Sequence, residues 1–221
     1  MRRTSDGFTA GVLILFSAYF AAMVWNPPYE LHATIHVVPT CLAIGLLAAS
    51  LKWWRLDATS YLLIVAFLVL HVLGTRYVYT HVPYDRWSVA WVGASVSDLT
   101  GWQRNHFDRF VHLMFGVLIA PVAYDVRARS TGLRGAWGYL AAVEFVVAAS
   151  AVFELLEWIG AVTLAPDYAL SYLGQQGDVW DAHKDMGLAF LGALASIACV
   201  ALMERAAAQR NGTASPVAPY V

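Results

Sequence analysis

FDRFVHLMFGVLIAPVAYDV, residues 107–126, is close to the length of about 20 residues that a helix needs to cross the hydrocarbon core of a bilayer. Its charged groups gather at its ends. Asp108 and Arg109 open it, Asp125 closes it, and between residues 110 and 123 only His112 can titrate. A charge at the bilayer centre costs about 2.5 to 3.5 kcal/mol on the insertion scale and less toward the interface. The stretch therefore reads as a transmembrane helix whose polar start faces other helices and not lipid.

Similar stretches lie on either side. Downstream, spans are expected over 136–162 and 185–204; upstream, over 8–25, 33–51 and 60–79. The first ends at the breaker Asn26-Pro27-Pro28 and the second at the interfacial anchor Lys52-Trp53-Trp54-Arg55. The apolar stretch after MRRTSDG runs to Trp25 without a cleavage site, so it is expected to stay as the first helix and not to leave as a signal peptide. The long connection Thr80–His106 is too polar at both ends to span, and its Trp87, Trp91 and Trp102 suit an interfacial segment. The fold class is thus all-α, a polytopic membrane bundle of about six transmembrane helices in one integral domain over 1–221. Residues 206–221 are expected to form a disordered tail.

Composition agrees. The 221 residues are 59% hydrophobic and 13% charged, against about 25% charged in soluble domains. A net charge of -1 carries no footprint for nucleic acid, and that class is excluded. Cys41 and Cys199 offer neither a disulfide framework nor a CxxC metal motif and read as small packing residues. Orientation follows from basic residues near helix ends. With both termini cytoplasmic, Arg2, Arg3, Lys52, Arg55, Arg127, Arg129, Arg134, Arg205 and Arg210 lie inside, against Arg76, Arg86, Arg104, Arg109 and Lys184 outside.

In that orientation the ionisable residues of the spans collect at the outer side. Asp108 and His112 share a helix face at i, i+4, and Glu154 and Glu157 share one at i, i+3. Asp178, Asp181 and Asp185 lead into the last helix with His183 and Lys184 between them; His71 and Arg76 lie in the outer part of the third helix, His32 and His36 at the start of the second. The acids outnumber Arg76, Arg109 and Lys184, so either some carboxyls stay protonated or a cation binds. Imidazole nitrogen and carboxylate oxygen from several helices suit zinc, manganese or iron. The candidate metal ligands are His71, His112, Glu154 and Asp181; the candidate catalytic carboxyls are Glu157, Asp108 and Asp185; Arg76, Arg109 and Lys184 are candidates for binding substrate. Plainer roles compete. Asp108, Asp181 and Asp185 also suit helix N-termini, and His71 a hydrogen-bonded core position. Glu154 and Glu157 stand where the helix dipole disfavours acids, which points to function. Glu144, deeper in the fifth span, is expected to pair with a polar group on another helix. Gly187, Ala189, Gly192, Ala193 and Ser196 mark a close-packing face of the sixth span.

HVLGTRYVYTHVPYD, FDRFVHLMFG, FELLEW and GDVWDAHKDMGLAFLGA, in that order, resemble the YjdF-like family of bacterial inner-membrane proteins over approximately residues 10 to 205. The resemblance implies a multi-pass inner-membrane fold and supplies no reaction. A more distant likeness is to VanZ-like proteins, linked to teicoplanin resistance, in the order of Asp108, Arg109 and His112, then Glu154, then Asp181 to Asp185 before Gly187 and Gly192. Arg109 stands where those proteins usually carry lysine, and Glu157-Trp158 near their usual glutamine.

Three functions fit these features. The first is a membrane-embedded, metal-dependent hydrolase or transferase acting on a lipid or lipid-linked envelope substrate at the outer leaflet, with residues 80–106 as an interfacial lid. The second is a proton- or ion-coupled transporter, against which stand inner halves nearly devoid of ionisable groups and the lack of an internal repeat. The third is a non-catalytic envelope scaffold held by a salt-bridged polar cluster.

Overall fold

The computed structural model describes residues 6–52, 56–163 and 175–211, the side chains of 6 and 30–36 excepted. These residues form eight helices: α1 Asp6–Val24, α2 Glu30–Lys52, α3 Ala58–Arg76, α4 Tyr84–Val92, α5 Val96–Thr100, α6 Phe107–Thr131, α7 Gly135–Thr163 and α8 Asp181–Arg210. Five of them, α1, α3, α6, α7 and α8, are long and apolar enough to cross a membrane. The second expected span falls on α2, whose described apolar part, Val37–Lys52, is shorter.

The long helices pack as two triads. α6, α7 and α8 enclose one core around Ala120, Val146, Ala189 and Ala193. α1, α2 and α3 enclose another around Phe16, Tyr61 and Val72. α3 against α6 joins the two.

The closest seam is α6 on α8, and glycine makes it possible. A Cβ on Gly116 would lie 2.0 Å from the Ala189 carbonyl oxygen, and one on Gly192 would lie 2.3 Å from that of Leu113. Small residues let two membrane helices approach to backbone contact, where dispersion replaces the missing hydrophobic drive. The face expected on the sixth span is therefore present in Ala189, Gly192 and Ala193. Gly187 is not part of it, since nothing lies within 4 Å of where its Cβ would be.

One end of the bundle is latched by polar bonds. Asp57 accepts from the Ser60 amide at 2.8 Å and caps α3. Ser60 Oγ donates to Asp125 at 3.1 Å, and Arg129 pairs with Asp125 and, at 3.6 Å, with Asp57. Tyr124 and Tyr139 both donate to Glu204, tying α6, α7 and α8 together. The opposite end, where α3 finishes and α6 and α8 begin, carries Asp108, Asp178, Asp181 and Asp185.

Several boundaries differ from the expected ones. α3 stops at Arg76, because Val78 and Tyr79 turn the chain back with φ of 52° and 53°. A β-branched residue rarely adopts that region, which costs about 1 to 3 kcal/mol. The turn lays the Tyr79 ring over Gly74, where a Cβ would come within 2.6 Å of the ring. α6 runs past Val126 to Thr131, since Arg127 and Arg129 continue the helix into water until Gly132 closes it at φ 75°. α8 starts at Asp181 and continues through 206–210, which the sequence assigns to the tail; 212–221 and the Trp53-Trp54-Arg55 anchor lie outside the described residues. Cys41 and Cys199 are exposed, so they do not pack inside the bundle. Glu144 is exposed on α7, away from the pairing expected of it.

Candidate functional site

Three helices bring the polar residues together at the unlatched end. Asp108 lies in the first turn of α6 and His112 one turn deeper; Asp185 lies one turn into α8; Glu154 comes from the far half of α7, which runs the opposite way. Asp108, His112 and Asp185 are buried, and each offers a ligand atom within 4.8 Å of the others. His112 Nε2 is 3.8 Å from Asp108 Oδ1 and 3.3 Å from Glu154 Oε1, while Nδ1 lies 3.5 Å from Ser150 Oγ. Glu157 lies half-buried one turn further along α7. Asp185 Oδ1 is buried with no hydrogen-bond partner, and Glu154 Oε1 has no neighbour closer than His112 Nε2 at 3.3 Å to bond it.

A second tier of charges lies above it, and here acids and bases are paired, with Arg109 Nε left buried and unbonded. Arg104 grips Asp181 with both terminal nitrogens, at 2.7 and 3.0 Å. Arg109 reaches Asp178 at 2.5 Å and Asp181 at 3.0 Å, and Lys184 reaches Asp178 at 2.5 Å. The Lys184 ammonium, the Trp180 amide and Arg109 together hold the Asp178 carboxyl well below the usual carboxylate range. Burial, then the charges of Arg109 and Arg104, push His106 down, so its imidazole stays neutral.

This arrangement sorts the candidates. Asp108, His112, Glu154 and Asp185 come together, with Glu157 beside them. Asp181, a candidate ligand, sits instead under two guanidinium groups that occupy its oxygens. Arg109 and Lys184, candidates for substrate, are engaged by the chain's own aspartates. Arg76 donates to the carbonyls of Met23 and Trp25 at 2.6 and 3.2 Å and so fastens the end of α3 to the end of α1. His71 is a hydrogen-bonded core histidine: Nε2 meets Thr40 Oγ1 at 3.1 Å and Nδ1 meets the Tyr79 hydroxyl at 2.5 Å. Both nitrogens are engaged in these bonds. The side chains of His32 and His36 lie outside the described residues.

Two cavities flank the deep group. One of about 380 Å³ opens between α7 and α8, with Glu154, Asp185, Trp158 and Gln175 in its wall. The other, of about 300 Å³, reaches His112 and Ser150 from the side of the α1–α3 triad. No residue of α4 or α5 lines either of them, so the expected lid does not form their walls. Those two short helices bury no residue; Asp85 joins them through Ser95 and Ser97, and Trp91 is 88% exposed.

The family described as "Predicted membrane protein (DUF2238)" matches residues 8–206, from the start of α1 almost to the end of α8. The chain belongs to that family. Inner membrane protein YjdF of Escherichia coli (strain K12) is 33% identical over 168 residues, 74% of each chain. No solved structure matches. The YjdF-like motifs thus carry a true relationship, and this DUF2238 protein is a multi-pass membrane protein.

Among the residues that matter at the site of this DUF2238 chain, sequence reasoning missed Arg104, Ser150 and Tyr79. Arg104 had a signal: the acids required more cations than the helices supply, and it stands three residues before α6. Ser150 gave none, because a serine on an apolar helix face looks like packing.

Proposed function

We propose that Asp108, His112, Asp185 and Glu154 form a divalent-cation site, for zinc, manganese or iron, in a hydrolase or transferase acting on a lipid or lipid-linked envelope substrate. The observation that carries this reading is the buried Asp185 Oδ1, which has no hydrogen-bond partner, beside a Glu154 Oε1 that only His112 Nε2 approaches, in a group of carboxylates whose nearby cations are bound elsewhere. Burying unpaired charge costs several kcal/mol per ion even after relaxation. A bound cation removes that cost.

Three carboxylates and one imidazole are a hard, oxygen-rich donor set that suits these ions. Ser150 stands at the second ring nitrogen of His112 and can fix which nitrogen faces the carboxylates. When bound, the cation would polarise a phosphoryl or acyl oxygen and acidify water. Glu157, on the same face of α7 as Glu154, is placed to take the proton of an attacking water or hydroxyl. The cavity beside Glu154 and Asp185 would admit the polar part of the substrate, since it opens between helices at the membrane boundary.

The topology that goes with this function has six spans, with α2 as the sixth, both termini in the cytoplasm and the site at the outer leaflet of the bacterial inner membrane. The inner-membrane name of the E. coli relative favours the location. A scaffold reading draws on a different observation, the paired tier of Arg104, Arg109 and Lys184 on Asp178 and Asp181. That tier can serve to hold α6 and α8 in register over the deeper site.

Metal content decides between them. Protein purified in mild detergent without chelator is expected to carry a stoichiometric divalent metal by mass spectrometry, lost in both His112→Ala and Asp185→Asn. Wild-type protein that is metal-free, and stays so after incubation with zinc, manganese and ferrous iron, would sink the metalloenzyme reading and leave the scaffold.

A further inference from the structure

The cavity of about 300 Å³ on the other side of His112 is built differently from the one beside Asp185. Its walls are carbon: Ala43 from α2, Phe67 and Leu68 from α3, Phe115 from α6, Ala149 and Phe153 from α7. The polar residues at its rim do not aim into it. His71 spends its two nitrogens on Thr40 and Tyr79, so it presents ring carbons. Only at the His112 and Ser150 end does a polar pair adjoin the space.

Its position says what fills it. α2 packs on α1 and α3, and α7 on α6 and α8, while no extensive seam joins α2 to α7. The cavity lies in that gap, with α3 and α6 as its floor. His112 is five residues into α6, about 7 Å along the helix axis from Phe107 at 1.5 Å per residue, and Phe115 lies deeper still. At that depth of a membrane-spanning helix the surroundings of a gap are bilayer hydrocarbon. A carbon-lined space holds water poorly and, left empty, forfeits the dispersion contacts of its lining. Pro39, in the wall, interrupts the backbone ladder of α2 at the same level.

We propose that this crevice takes one hydrocarbon chain of a membrane phospholipid, inserted laterally between α2 and α7, with the polar end of the lipid at His112. The inference deepens the lipid-substrate reading above and rests on it for the step from bound lipid to substrate; occupancy itself is tested without reference to metal. His112 then belongs to two compartments, the chain crevice on one side and the carboxylates on the other. Such a placement brings the glycerol and headgroup region of a lipid to Asp108, Glu154 and Asp185.

The test is photolabelling of the full chain in vesicles of phosphatidylethanolamine and phosphatidylglycerol, doped with a phosphatidylethanolamine that carries a diazirine in its acyl chain. Labelled residues are read by peptide mass spectrometry as the probe fraction is raised, with metal content measured on the same preparation. Label on Phe67, Phe115 and Phe153 is expected to saturate, whereas label on the outward-facing Leu62 and Leu191 rises in proportion to the probe. Ala43→Phe and Ala149→Phe, which fill the crevice from opposite walls, are expected to lower the wall label severalfold and leave the outer label unchanged. Wall label that is absent, or that follows the outer label without saturating in wild type, overturns the proposal whether or not the variants fold. Saturating label in a metal-free protein upholds the crevice and removes the metal reading; metal without wall label does the reverse.

Discussion

Asp185 shows how one residue can weaken a fold in favour of a site. Its Oδ1 is buried without a hydrogen-bond partner, and its carboxylate lies within 4.8 Å of ligand atoms of Asp108 and His112. In the absence of a cation that crowding opposes folding, so Asp185→Asn is expected to stabilise chelator-treated protein by about 1 to 3 kcal/mol while abolishing metal binding. Thermal melts in detergent, with and without EDTA, measure both; a lower melting temperature in EDTA would make Asp185 a structural partner instead. Asp178 behaves oppositely. Its folded pKa lies below the unfolded value of about 3.9, so its contribution is complete above about pH 5 and drains away as pH falls toward the folded pKa. Asp178→Asn should therefore lower the melting temperature equally at pH 7 and pH 5, less as the pH drops below 4, and less in high salt, which screens an exposed network. At this scale the sequence was partly legible. The i, i+4 spacing of Asp108 and His112 and the acid at Glu154, set against the dipole of its helix, point to the site directly. Asp181 and Asp185 share one face of α8 at the same spacing and look alike in sequence. The reach of Arg104 from outside the helix, together with Arg109 from α6, decides that Asp181 is paired with cations and Asp185 is not.

The helices that matter most are α6 and α8, because their crossing sets the distance between Asp108, His112 and Asp185. Gly116 and Gly192 lie one to two turns below those residues, and each has a backbone of the other helix where its Cβ would be. Gly116→Ala and Gly192→Ala are expected to cost about 1 to 3 kcal/mol by overpacking and to loosen metal binding, since the helices must move apart at the site. Gly187→Ala, with open space at its Cβ, serves as the control and should leave both unchanged. Melting temperature and metal affinity measured together on the three variants check this; a tolerant Gly116→Ala would mean that the crossing is not as tight as its 2.0 Å approach. Long apolar runs made the long helices readable, because a period of hydrophobicity matters less in lipid than sheer length. The small face of α8 was readable too, but its mate on α6 was not: a lone Gly116 among bulky neighbours gives no sign of which helix it meets. The end of α3 was misread for a local reason. Tyr77-Val78-Tyr79 is apolar enough to extend a span, and only the packing of the Tyr79 ring on Gly74 and its bond to His71 bring the chain into the left-handed region.

The whole molecule is polarised along its helix axes. At the latched end lie Lys52, Arg127, Arg129, Arg134, Arg205 and Arg210; at the site end lie Arg76, Arg86, Arg104, Arg109 and Lys184. Those five are less free than their number suggests. Arg104, Arg109 and Lys184 face Asp178 and Asp181, and Arg76 is bound to backbone carbonyls, which leaves the exposed Arg86 on α4. The positive-inside rule counts basic residues near span ends without regard to their partners, and here the partners strengthen the bias that the count already has. The latched end is thus expected in the cytoplasm and the acidic site on the far side of the membrane. Cysteine accessibility tests this in a background of Cys41→Ser and Cys199→Ser, both positions being exposed and unbonded. Asp98→Cys, on α5, should react with a membrane-impermeant maleimide in cells whose outer membrane alone is permeabilised. Ser130→Cys, near the end of α6, should react only after the inner membrane is opened. The reverse pattern would invert the bundle and move the carboxylate site to the cytoplasmic leaflet, where the proposed lipid substrate would be met before export and not after it.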